Sequence, residues 1–241
     1  MISKISMKKK SKLAEMIKNN YLKSLHSLKQ KKFSKILLKW RGQNNFDSLY
    51  PWRNSKNRYY VLLSEILLKK TTRKQVASEW SNITSRCNDF NDLQNIDLRK
   101  LKKVLKPLGL EHTRSKHLKD LSKKILADFN GKVPGTKKEL LSLPGVGPYT
   151  ANAVLCFAFG HDVSMLDVNI LRVIKRVFSL DEKNSREAID MHLWEFAEKL
   201  PPAGKGKEFN YAILDFASEV CTAKNPKCSE CPVNKICNFV N

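Results

Sequence analysis

Four cysteines crowd the C-terminus of this 241-residue chain, Cys221, Cys228, Cys231 and Cys237, in a C-x6-C-x2-C-x5-C run. Loops this short do not staple a small secreted fold, so the run reads as thiolates gathered round a metal centre. Whatever the chain folds into must bring these four sulfurs to one place. Four thiolates so close in sequence suit a 4Fe–4S cluster or a zinc ion. Structural zinc usually takes two C-x2-C knuckles, and only Cys228 and Cys231 make one here, which favours the cluster. Cys87 and Cys156 stand alone in apolar surroundings and read as ordinary buried thiols.

The rest of the chain reads as one helix after another. Apolar residues recur at spacings of three and four over 33–41, 58–69, 72–81, 98–105, 114–128, 137–142, 149–159, 168–178, 186–199 and 208–221, and no stretch alternates with period two. An all-α protein is expected. Pro51, Pro107 with Gly109, Pro134 with Gly135, and Pro201 and Pro202 with Gly204 fall where helices should stop. With 41% hydrophobic residues the chain can fill one large domain or two small ones that share a core. Its longest apolar run, 153–160, is far short of the ~18 residues of a membrane span, and the N-terminus carries lysines without the apolar stretch of a signal peptide. The expectation is a soluble cytoplasmic protein, on the nucleoid if the cell is prokaryotic, with no membrane partner.

Charge narrows the partner. Lys and Arg number 45 against 23 Asp and Glu, a net of +22, which favours a polyanion and above all nucleic acid. Residues 1–35 hold eleven of the lysines and one acid, Glu15, yet the remainder is basic as well. The N-terminal arm, 1–30, reads as a solvated basic extension or as a weak amphipathic helix with Leu13, Met16, Ile17, Leu25 and Leu28 on one face.

Three further features carry chemistry. In Leu143-Pro144-Gly145-Val146-Gly147-Pro148-Tyr149-Thr150-Ala151, two glycines two apart make a tight hairpin before a near-continuously apolar helix. The free amides at that helix start can grip a phosphate without reading sequence, although a plain helix-turn-helix joint would look the same. Eighteen residues after Tyr149 comes Asp167, placed as an N-cap and so held as a carboxylate at a helix start. Glu65 interrupts an otherwise apolar helix that contains Val61, Leu62, Leu63, Ile66, Leu67 and Leu68. It is either a solvent-facing seam or a carboxyl lining a cleft, its pKa raised by desolvation and fit to act as an acid.

Taken together, the hairpin, the Asp eighteen residues on and the cysteine run resemble the helix-hairpin-helix DNA glycosylases with an iron–sulfur cluster, the superfamily of endonuclease III and the adenine mismatch glycosylases. The resemblance spans Pro51-Trp52-Arg53 to Cys237 and omits only the arm. Ser64-Glu65-Ile66-Leu67-Leu68-Lys69-Lys70-Thr71-Thr72 is similar to the G:T mismatch thymine/uracil glycosylases in its acid, its two basic residues and its two threonines. The resemblance implies a six-helix barrel over 58–162, a cluster lobe from 31–57 and 163–241, and an active cleft between them. It implies double-stranded DNA with a mismatched or damaged base as the partner, a monomeric enzyme, and hydrolysis of the bond between base and deoxyribose.

Roles follow from the same resemblance. Asp167 would stabilise positive charge on the sugar, Glu65 would bind or protonate the departing base or handle the water, and Lys70 would fill the gap left by the flipped base. Lys69 would contact phosphate beside it, and Gly145, Val146, Gly147 and Thr150 would hold the DNA backbone. The bifunctional enzymes have a Schiff-base lysine after the hairpin, whereas this chain has Tyr149, which has no amine. A monofunctional glycosylase is therefore expected, with Tyr149 stacking on the base or the sugar. The sequence stops four residues after Cys237 and replaces the glutamine pair of the adenine glycosylases with Lys69 and Lys70, which favours thymine or uracil opposite guanine over adenine. An endonuclease III-type glycosylase/lyase and a non-catalytic iron–sulfur DNA-binding protein are the other readings.

Overall fold

The computed structural model describes residues 27–180 and 191–240. Among them are helices and turns and no strand, as the period of the apolar residues requires. Helix α1 covers 27–43 and is followed by 3-10 turns at Asp47–Leu49 and Pro51–Asn54. Then come α2 (Arg58–Leu67), α3 (Arg73–Thr84), α4 (Phe90–Asn95), α5 (Leu98–Leu105), α6 (Glu111–Phe129), α7 (Lys137–Leu141) and α8 (Pro148–Phe159). The chain continues with α9 (Val168–Phe178), α10 (Met191–Glu198) and α11 (Gly206–Glu219), and ends in 3-10 turns at Cys228–Glu230 and Asn234–Ile236. No helix among the described residues is long and apolar enough to cross a membrane.

Short polar side chains set the helix starts. Asn57, Asp89, Asp97, Thr136 and Asp167 each accept a bond from a first-turn amide, and Thr72 with Gln75 forms a reciprocal capping box. The sequence reading missed α4, because six residues with only Phe90 and Leu93 buried are too few to show a period. It also began α1 late. Residues 27–30, grouped above with the arm, are helical, and Gln30 is buried beside Phe33, Ser34 and Leu37 on one face. Residues 1–26 and 186–190, which include most of the arm and the expected start of α10, lie outside the described residues.

Two apolar cores flank α8. One gathers Leu62, Leu63, Leu67, Ile83, Leu101 and Leu118 from α2, α3, α5 and α6. The other gathers Phe33, Leu37, Ile174, Phe209 and Phe216 from α1, α9 and α11. Helix α8 gives Ala151, Val154 and Leu155 to the first and Ala153, Cys156 and Phe157 to the second, which is why it is apolar nearly all round. Tyr50 and Trp52 fall in the 31–57 segment yet pack in the first core, with Trp52 5.3 Å from the Trp80 ring.

A buried ion cluster joins the two sides. Asp215 of α11 has no exposed surface and accepts a two-pronged bond from Arg53 at 2.9 and 2.7 Å. Arg41 of α1 donates to it at 2.9 Å, and Arg73 of α3 donates as well. Burial works against the Arg53 charge, but hydrogen bonding and attraction to Asp215 outweigh it and hold its pKa above the ordinary value. A carboxylate shared by three arginines from separate elements fixes those elements against each other, and removing it would leave the buried Arg53 with only the longer 3.3 Å contact to Asp47.

Candidate active site

Glu65 sits on the buried side of α2, where eight of ten residues are buried, and is itself 6% exposed. The solvent-facing seam is thereby excluded. Burial pushes the Glu65 carboxyl up to about 7, with the positive charges of Lys69 and Arg53 opposing and the negative charge of Asp167 adding to the rise. A carboxyl with that pKa exists in both protonation states near neutrality and can give up a proton there.

After α2 the chain turns sharply through residues 68–71. Lys70 holds a left-handed backbone at φ 54° with its side chain exposed. The Lys69 ammonium donates to the carbonyl of Gly145, which ties the turn to the hairpin. Burial lowers the Lys69 pKa, opposed by Glu65. In the hairpin Gly145 takes φ +75°, a conformation that disfavours any side chain, and Gly147 has nothing within 4 Å of where a Cβ would stand. Pro148 opens α8 without an N–H to satisfy. Val146 and Thr150 are 7% and 2% exposed, so the structure covers both rather than presenting them to a phosphate.

Asp167 caps α9. Its Oδ1 accepts from the amides of Asn169 at 2.9 Å and Ile170 at 2.8 Å, and its Oδ2 accepts from the Asn169 side chain at 2.9 Å. Tyr149 of α8 is half-buried against the second core. Its phenol is pushed well above the usual range, first by burial, then by the charges of Glu65 and Asp167, with Arg73 opposing and Tyr211 adding. Glu65, Tyr149 and Asp167, from α2, α8 and the start of α9, therefore share one electrostatic neighbourhood.

Residues 63–199 match the HhH-GPD superfamily of base excision DNA repair proteins. The chain belongs to that superfamily. Residues 221–237 match the iron–sulfur binding domain of endonuclease III. The chain is 42% identical to a thymine/uracil-DNA glycosylase of Pyrobaculum aerophilum, across 86% of this chain and 91% of that one. It is 36% identical to a thymine/uracil-DNA glycosylase of Methanothermobacter thermautotrophicus, across 88% and 94%. An adenine DNA glycosylase of Homo sapiens is 30% identical across 85% of this chain but only 39% of its own length. Among solved structures, a thermostable thymine-DNA glycosylase superposes with a TM-score of 0.82 at 35% identity, covering 88% of this chain and 96% of that one. A non-covalent endonuclease III–DNA complex, at 22% identity and a TM-score of 0.75, shares the fold. This HhH-GPD protein is thus a DNA glycosylase, a hydrolase of N-glycosyl bonds, and DNA is its partner.

The cofactor of this HhH-GPD protein is a 4Fe–4S cluster, and the donor set fits it. Cys221, Cys228, Cys231 and Cys237 line one cavity with Val177, Phe216, Val220 and Val233. Backbone amides of Val233 and Phe239 donate towards Cys231 and Cys237, and the Arg176 guanidinium lies 3.6 Å from the Cys221 sulfur. Such donors stabilise thiolates that ligate a cluster. Bound there, the cluster would tie the C-terminal turns to α9 and α11.

Several residues of the site carried no signal in the sequence. Arg73 and Tyr211 act electrostatically on Tyr149 from helices distant in the chain. Leu110 is 51% exposed and holds φ 53° at the start of α6, beside the turn that carries Lys70. Arg114, 4% exposed, donates to backbone carbonyls in both places. A leucine in a left-handed backbone has no sequence signature, since glycine or asparagine is the residue expected there.

Proposed function

We propose that this protein is a monofunctional glycosylase that releases thymine or uracil from opposite guanine in duplex DNA. The observation that carries the reading is Tyr149, grouped with Glu65 and Asp167 at the position where a lyase needs an amine. The similarity to thymine/uracil-DNA glycosylases over most of both chains supports the choice of base. The barrel, 58–162, with Tyr50 and Trp52 of the preceding segment packed into its core, and the cluster lobe, the rest of 31–57 with 163–241, form the two walls of the cleft. The enzyme works as a monomer in the cytoplasm, on the nucleoid if the cell is prokaryotic.

The proposed sequence of events uses the chain's own residues. The hairpin amides around Gly145 and Gly147 and the basic surface, including Lys69, hold the phosphates. Lys70 and Leu110 enter the stack as the mismatched base leaves it. Tyr149 packs against the flipped nucleotide. As the glycosidic bond lengthens, positive charge builds on the sugar and the Asp167 carboxylate stabilises it. Protonated Glu65 passes its proton to the departing pyrimidine, so the base leaves neutral. Water adds its oxygen to C1′ and gives up a proton to the Glu65 carboxylate, which restores the acid and leaves an abasic site in an intact strand.

Duplexes carrying G:T, G:U, A:G and A:8-oxoguanine, each analysed with and without alkali, test this reading. Release from G:T and G:U with strand breaks only after alkali is expected. Preferred release of adenine, or breaks without alkali accompanied by borohydride-trapped complex, would overturn it.

A further inference from the structure

Two neighbouring turns hold a non-glycine residue in the left-handed region, Lys70 at φ 54° and Leu110 at φ 53°. Each such residue costs about 1–3 kcal/mol and persists only where the surroundings over-determine it. Both side chains point into solvent, so no packing of their own explains the strain. Gly109 beside Leu110 also takes a positive φ, 71°, but the turn requires one at the leucine as well.

One buried guanidinium reaches both turns. Arg114 of α6 donates through Nη1 to the carbonyls of Ile66 and Leu67, each at 2.8 Å. Its Nη2 reaches the Lys69 carbonyl at 3.0 Å and the Thr71 hydroxyl at 2.8 Å, so it holds the residues on both sides of Lys70, one by backbone and one by side chain. Its Nε lies 3.4 Å from the Gly109 carbonyl, adjacent to Leu110. The Thr71 hydroxyl spans the same gap, 3.2 Å from the Leu108 carbonyl. Every acceptor is neutral. The charge is instead stabilised by carbonyls at the C-terminal end of α2, where the helix dipole is negative. A lysine could occupy the volume but not the geometry, because its donors radiate from one atom rather than from a planar fork.

We propose that Arg114 is the positioning residue that sets Lys70 and Leu110 as a two-point wedge and thereby governs the opening of the base pair. The inference rests on the base-flipping reading given above. It separates two steps: Arg114 acts on the extraction of the base and not on the cleavage of its bond.

The test uses full-length, cluster-containing protein with Arg114→Lys and, separately, Thr71→Val. Single-turnover release of uracil is measured from a G:U duplex and from the same strand with the uracil unpaired opposite an abasic gap. Fluorescence of a 2-aminopurine beside the uracil reports unstacking. In both variants the G:U rate should fall about 10-fold or more while the unpaired rate stays within about threefold. The 2-aminopurine signal should weaken, with cluster absorbance unchanged. Equal loss on both substrates, or no loss on either, would overturn the proposal while leaving the glycosylase reading intact. Should Arg114→Lys fail to fold or lose its cluster, the rate ratio in Thr71→Val decides alone. Wild-type protein that releases uracil from neither substrate would overturn the reading of the site, and the proposal with it.

Discussion

Glu65 and Asp167 are two carboxyls of one neighbourhood that the fold treats in opposite ways. Asp167 is half-buried at a helix start, where two backbone amides and an amide side chain bond its oxygens. Glu65 lies on a buried helix face with the nearby cations Lys69 and Arg53 to balance it, and desolvation still wins, pushing it up to about 7. The difference teaches that the acid at Glu65 is made by withholding hydrogen-bond partners, whereas the Asp167 carboxyl is fixed in place by supplying them. Two carboxyls with separate environments can then perform separate steps of a single reaction.

The largest test of this contrast removes charge without removing shape. Asn keeps the cap acceptor but not the charge, so Asp167→Asn should lower single-turnover base release by about 10³-fold, the scale of a lost transition-state electrostatic partner. Affinity for mismatched DNA should be kept or raised. Full activity in this variant would reduce Asp167 to a helix cap and break the comparison.

Glu65→Gln should cost less, about 10²-fold, because one proton transfer is lost while the pocket shape remains. On the proposed mechanism Glu65 meets the base in the ground state too, so the preference among thymine, uracil and adenine should shift. In the wild type, release should slow as pH rises above about 7, where the proton is lost from Glu65. That limb should be missing in Glu65→Gln, and a limb that persists would assign the proton to another group.

Stability should follow the same contrast at smaller scale. The folded Glu65 pKa is raised from 4.5 to about 7, so the unfolded chain ionises first as pH rises and gains on the folded one. The sign is therefore a loss of stability with rising pH, beginning near 4.5 and complete above 7. Between pH 5 and 8 it amounts to about 2 kcal/mol, and denaturant midpoints of wild type against Glu65→Gln should resolve it. Equal slopes for the two proteins would mean that Glu65 is better solvated than its burial implies.

What was legible in the sequence was local. Thiol spacing marked the cluster, a pair of glycines marked the hairpin, and apolar periods marked every long helix. Asp167 could be seen as a cap because capping is a rule about neighbours in the chain. That Glu65 and Asp167 meet was supplied only by resemblance to a family, since nothing in the text links residues a hundred apart. Asp215 and Arg114 look like ordinary charges on amphipathic helices. Their roles arise from partners on other elements, 162 residues away for Arg53 and Asp215. The strain at Lys70 and Leu110 was hidden for the opposite reason, because propensity points away from both residues.

The smallest effect separates the two duties of Asp167 itself. Asp167→Ala loses both amide bonds at the start of α9 as well as the charge, and should destabilise the protein by about 1 kcal/mol. Asp167→Asn keeps an oxygen where Oδ1 accepts from Asn169 and Ile170, so its stability should stay near that of the wild type. The two variants should nevertheless be equally slow, because catalysis needs the charge and the cap needs only the acceptor. Denaturant midpoints alongside single-turnover rates measure both. If activity instead tracked stability, with Asn faster than Ala in proportion to its better cap, Asp167 would act only by holding α9 in place.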